Sequence, residues 1–215
     1  METATYDPTG LRAGDYPVVH KKGTVASGQG ALARGTVLGA ILLGAASSAA
    51  KSGGNTGNGT LTLDVTTPIL AGAQPGVYTA RCITAATNSG TFRVEDPNGT
   101  VLGDVAVGAT FSDDVKFVIA DGGTDFVVGD GFDITIAAGS GKVVKSVAAA
   151  VDGSAVPVGI LAADADATSA DVDAPYYISG EWAGSKLTFG AGHTADTVEA
   201  SFRKTGTPIF IKTLG

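Results

Sequence analysis

Apolar residues fall on every second position in Thr60-Leu-Thr-Leu-Asp-Val65 and in Phe132-Asp-Ile-Thr-Ile136. This is the spacing of a strand with one buried and one wet face. Five further apolar or β-branched runs lie between them, at 76–83, 91–95, 101–107, 115–120 and 125–128. Separators rich in Gly, Asn, Asp and Pro divide the runs, among them Asn88-Ser-Gly90, Asp96-Pro-Asn-Gly99 and Asp121-Gly-Gly123. Seven short strands at such spacing, with turn residues between them, predict an all-β sandwich or barrel.

Outside this stretch the pattern is mixed. Val156-Pro-Val-Gly-Ile-Leu161 and Tyr176-Tyr-Ile-Ser-Gly180 read as strands, and the proline in the first suggests a sheet edge or a strand start. A helix is predicted over 195–204, with Thr194 as N-cap, Asp196 and Glu199 near its start, Arg203 and Lys204 in its last turn and Gly206 just after. Val198 and Phe202, four apart, supply its buried stripe. A last strand covers 208–212. Residues 1–33 carry Pro8, Gly10, Gly14, Pro17, Gly23, Gly28 and Gly30 and show no sustained period. They read either as a loose chain end or as an arm that orders along a partner's sheet edge, with Tyr16, Pro17, Val18 and Val19 as its apolar patch.

Charge sharpens the division. Residues 53–141 hold ten acids against Arg81, Arg93 and Lys116, net −7, whereas the rest of the chain balances eleven acids with eleven bases. The run that starts at Arg34-Gly-Thr-Val-Leu-Gly39 resumes only at Val143, as if one domain were interrupted by another. The expected fold is therefore mainly β. An N-terminal arm (1–33) precedes a small discontinuous β-rich domain with one C-terminal helix (34–52 plus 142–215), interrupted by an all-β sandwich or barrel (53–141). Glycine at 32 of 215 residues and charged residues at 16% fit a turn-rich β protein, and 44% hydrophobic content argues against general disorder.

Chemistry is sparse. Cys82 is alone, so no intramolecular disulfide forms, and no Cys or His cluster has zinc spacing. His20 falls in the arm and His193 beside the helix cap, both ordinary surface positions. Ser154 lacks the Gly-x-Ser-x-Gly frame of a nucleophile elbow. The Asp-rich stretch from Asp121 to Asp133 has neither the ligand frame nor the terminal Glu of an EF-hand, and reads as solvated turns. No catalytic, cofactor or metal site is expected, and the chain is expected not to be an enzyme. The pI of about 4.6 weighs against nucleic acid as a partner. Residues 1–15 lack the basic start and apolar core of a secretory signal, and the apolar run 37–46 is too short to span a bilayer. Synthesis and retention in a cytoplasm, with no membrane partner, is the expectation.

Four segments in order, Gly35-Thr-Val-Leu-Gly39, Asp152-Gly-Ser-Ala-Val-Pro-Val-Gly-Ile-Leu161, Tyr177-Ile-Ser-Gly-Glu-Trp182 and Leu187-Thr-Phe-Gly-Ala-Gly192, together with the helix and terminal strand, resemble the head decoration proteins of tailed bacteriophages, the lambda-type capsid cement. The resemblance covers 34–52 and 142–215. It implies a homotrimer on the outer surface of the expanded capsid, at three-fold and quasi-three-fold points, that clamps the major capsid protein and stabilises the head. The arm would add strand pairing to the shell, and the protein would pass from the host cytoplasm to the virion. The acidic insert looks like an immunoglobulin-like module, and an accessory host-surface or glycan contact through it stays open. The rival reading is a tail or other adhesive surface protein built from β modules.

Overall fold

The computed structural model describes residues 10–213, so the first nine residues of the expected arm lie outside it. The described chain divides into two compact units. The first runs up to Ile41 and again from Gly141, and the second runs from Leu42 to Ser140. In chain order the first unit contributes β1 (His20–Val25), β2 (Gly30–Leu32) and β3 (Val37–Ala40). The second contributes β4 (Leu43–Ala50), β5 (Thr60–Leu63), β6 (Gly76–Ala86), β7 (Ser89–Glu95), β8 (Val101–Ala106), β9 (Thr110–Ser112), β10 (Lys116–Ala120) and β11 (Gly131–Ala138). The first unit resumes with β12 (Val143–Lys145), β13 (Pro157–Leu161), β14 (Ala165–Ala167), β15 (Val172–Tyr177), β16 (Gly180–Ala183), α1 (Ala195–Thr205) and β17 (Ile209–Lys212). The fold is mainly β with one α-helix near the C-terminus, as the sequence predicts.

The first unit is built on a closed five-stranded barrel in the order β1-β12-β3-β13-β15, and β15 closes it by pairing antiparallel with β1 from His20↔Tyr177 to Val25↔Val172. Two-residue alternation explains why neighbouring side chains are buried on opposite sides. Leu38 and Leu161 join Val25, Val143 and Tyr176 in one core cluster. Val37 and Ile160, one residue earlier in each strand, join a second cluster with Trp182, Val198, Phe202 and Ile209, which α1 covers. The helix forms as its sequence dictates. Thr194 and Thr197 cap each other reciprocally, Val198 and Phe202 are fully buried, and Gly206 ends the helix at φ 70°, a left-handed conformation that glycine adopts without a Cβ clash.

For residues 10–33 the expectation of an arm is corrected. Residues 20–25 are a barrel strand, and β2 pairs with β14 through Leu32↔Ala165. Leu11 and Ala13 flank an antiparallel bridge between Arg12 and Trp182, with Ala13 N–H donating to Glu181 O (2.8 Å) and Ala183 N–H to Leu11 O (2.9 Å). These strands escape sequence periodicity because they are three to six residues long and glycine-broken, and their partners lie more than 110 residues away.

The second unit is a two-layer sandwich. A five-stranded sheet, β4-β11-β6-β7-β8, faces a three-stranded one, β5-β10-β9. Tyr78, Phe92, Ile134 and Ile136 of the first share a core with Leu61, Phe111, Phe117 and Ile119 of the second. Three expectations shift here. Residues 125–128 are irregular and lead into a turn rather than forming a strand, and only Phe126 enters the core, edge-on to Phe92 with centroids 5.0 Å apart. Residues 43–50, assigned from sequence to the interrupted domain, form β4 of this unit, because they ladder against β11 and bury Leu43 with the sandwich core. The sheet order also differs from an immunoglobulin partition of strands ABED and CFG, since β6, β7 and β8 follow one another in a single sheet.

Candidate assembly surface

The residues singled out as a docking patch, Tyr16, Pro17, Val18 and Val19, lie on the first unit and are held there by named contacts. Ser179, 5% exposed, accepts from Val19 N–H (2.8 Å) and donates to Pro17 O (2.8 Å), so one hydroxyl fixes both ends of the Pro17–Val19 backbone. Ile178 N–H donates to Val19 O (2.9 Å). Arg12 Nε donates to Gly14 O (2.7 Å) and tightens the preceding turn. Glu181 accepts from Tyr16 N–H (3.3 Å) and pairs with Lys212 (2.8 Å). The Lys212 ammonium first, then that N–H, holds the Glu181 carboxyl below its ordinary value.

Aromatic and cationic groups continue the surface. The Tyr16 ring meets Phe210 at 4.9 Å, tilted 57°, and the Arg203 guanidinium lies 4.3 Å from the Phe210 centroid. Glu199 holds Arg203 through Oε1 (2.8 Å to Nε) and accepts from Ile211 N–H through Oε2 (2.6 Å), tying α1 to β17. Val18 packs into the core cluster around Trp182, whereas Tyr16 is 40% and Val19 50% exposed. Pro17 is exposed too, so the patch is anchored by one apolar residue and presents three. Ser179 and Phe210 were not singled out from sequence, and Arg203 only as a charge at the helix end. The Gly-Glu-Trp run beside Ser179 was the nearest signal.

The remaining candidates are occupied structurally. Ser146 is fully buried and donates its single proton to Ser154 O (2.8 Å). Ala155 O (3.3 Å) and His193 Nε2 (3.1 Å) also face that hydroxyl, so its one proton is contested by two backbone carbonyls as well as by the imidazole. Ser154 is bound to Asp152 (2.6 Å). His20 is exposed on β1. Burial pushes the Cys82 thiol up, away from the reactive thiolate. Asp130, 3% exposed, accepts from the N–H groups of Thr56, Gly57 and Val127 at 2.9, 2.9 and 3.1 Å. Asp125 accepts from Asn88 N–H (2.8 Å). No three His, Cys, Asp or Glu side chains among the described residues come together as metal ligands. An open hollow of about 380 Å³ is lined by Ala31–Ala33 and Asp164–Asp166, but Asp164 already accepts from Arg34 N–H and Asp166 from Thr168. Trp182 is 1% exposed and offers no stacking platform.

The first unit is thus a β-rich scaffold that presents a fixed aromatic and apolar patch. The model of the family described as bacteriophage lambda head decoration protein D matches residues 68–207, well over half of the chain, and the chain belongs to that family. It is accordingly a phage head protein with a structural role at the capsid. The matched span starts inside the second unit and reaches just past α1, taking in most of the acidic stretch as well as β12 to β16. No curated protein matches the chain. Two crystal structures of FlgL from Xanthomonas campestris are similar at 20% and 21% identity, each over 50% of this chain, with a TM-score of 0.32. The chain spans about a third of their length, 34% and 33%.

Proposed function

We propose that this protein binds the outer surface of the expanded phage capsid as a homotrimer at three-fold and quasi-three-fold sites, and stabilises the head by bridging neighbouring copies of the major capsid protein. The family match over residues 68–207 carries this reading. The patch supports it. Tyr16 and Val19 are presented from a backbone already fixed by Ser179, Ile178 and Glu181, so docking would lose little conformational entropy. The balanced charge outside 53–141 leaves few ions to desolvate across a broad contact. In the same reading the second unit, 42–140, is a guest module, whose ten acids against four bases, net −6, keep it in water.

Sedimentation tests the assembly. The purified protein should run at three times its 21.2 kDa chain mass. Mixed with expanded empty heads of its phage and imaged, it should appear as knobs at three-fold positions, and unexpanded heads should stay bare. A strict monomer at high concentration that leaves expanded heads bare would overturn the proposal. The double variant Tyr16→Ala, Val19→Asp should remain a trimer and bind heads at least about tenfold more weakly, each tenfold being about 1.4 kcal/mol.

A further inference from the structure

The sequence contains two Asn-Gly pairs, Asn58-Gly59 and Asn98-Gly99, both in the second unit and both at exposed asparagines. Such pairs can modify themselves. The glycine nitrogen attacks the asparagine Cγ, its proton passes to water, the Cγ–Nδ2 bond breaks and ammonia leaves. The resulting five-membered imide adds water to give aspartate or isoaspartate. The net change is one water consumed and one ammonia released, with no other reactant.

The two sites differ in every group this reaction uses. At Asn98 the attacking nitrogen is engaged, since Gly99 N–H donates to Asp96 O (3.0 Å). The leaving nitrogen is engaged too, donating to Gln74 Oε1 (3.1 Å) and Asp96 Oδ2 (3.4 Å). The Asp96 carboxylate, itself holding Asn98 N–H (2.8 Å), opposes the negative charge that develops on the amide oxygen. At Asn58 the pattern reverses. Its Oδ1 accepts from Thr124 N–H (2.9 Å), a backbone donor placed where the oxyanion forms. Gly59 N–H makes none of the turn or loop hydrogen bonds of the described residues, and Nδ2 donates to no protein acceptor there.

Packing preserves the labile pair. A Cβ on Gly59 would stand 2.3 Å from Phe126 Cζ and 2.4 Å from Ala120 O, so only glycine fits. Asn58 also clips the loop between β10 and β11, pairing by backbone and side chain with Thr124. We propose that Asn58-Gly59 is a self-modification site that converts to aspartate and isoaspartate in the folded protein, while Asn98-Gly99 is protected. Conversion would add charge to an already acidic unit, and isoaspartate would lengthen the backbone by one methylene just before β5.

Incubation of the folded protein at mildly alkaline pH, with peptide mapping by mass spectrometry and isoaspartate detection, tests this. The Asn58 peptide should convert more than about tenfold faster than the Asn98 peptide, a fraction of the ~10²–10³ that one oxyanion donor contributes in an enzyme. In concentrated guanidinium chloride the two peptides should convert at similar rates. Equal rates in the folded protein, faster conversion at Asn98, or a preference for Asn58 that persists unfolded would each overturn the proposal.

Discussion

Carboxylates decide how the second unit responds to acid. At Asp130 burial pushes the carboxyl up, but three backbone N–H groups, from Gly57, Thr56 and Val127, outweigh it and leave the group below its ordinary value. Asp96 is lowered by Thr100 N–H, against desolvation, with Asn98 helping. A carboxyl depressed in the folded state contributes stability above its unfolded value, near 4, that is lost as pH falls through the lower folded one. Asp114 runs the other way. Burial raises it against the Tyr78 hydroxyl (3.2 Å), so its contribution fades as pH rises through the raised value. Acid titration followed by tryptophan-independent probes such as far-UV dichroism should show the second unit losing stability below about pH 4. Asp130→Asn should flatten that loss. At neutral pH the same variant should be about 1–3 kcal/mol less stable in urea, because three N–H groups lose a charged acceptor.

Among the elements, α1 gives the cleanest separation of local and tertiary effects. Thr194→Ala removes only the cap and should cost about 1 kcal/mol, whereas Phe202→Ala empties a fully buried site and should cost about 3–5 kcal/mol, both read from thermal or urea melts of the intact protein. The same contrast explains what the sequence could reveal. Cap, stripe and terminating glycine of α1 lie within thirteen residues, so the helix was legible to within one position. The sandwich strands β6, β7, β10 and β11 were legible because each buries every second side chain. β4 was not, because Leu-Gly-Ala-Ala-Ser-Ser-Ala-Ala has little strand propensity and becomes one only by laddering with β11, over eighty residues later. The patch was half legible. Its apolar residues stand out at 16–19, but Ser179 and Phe210, which hold it, are set by barrel closure and by the β16–β17 pairing.

At the scale of the molecule, the first unit closes on itself. Gly141 N–H donates to Ile41 O and Ile41 N–H to Lys142 O, both at 2.9 Å, and β3 and β12 continue that pairing with Ala40↔Val143. Replacing 42–140 with a short glycine-containing turn should therefore leave a cooperatively folding barrel, checked by a single sharp thermal transition and dispersed amide resonances. A molten product would show that the first unit depends on the second. Two chain ends held a hydrogen bond apart also form a socket: any polypeptide whose own termini meet could be spliced there without reshaping the barrel. If, as proposed, the first unit holds the capsid, a phage could exchange the second by recombination within a single gene and leave that hold untouched.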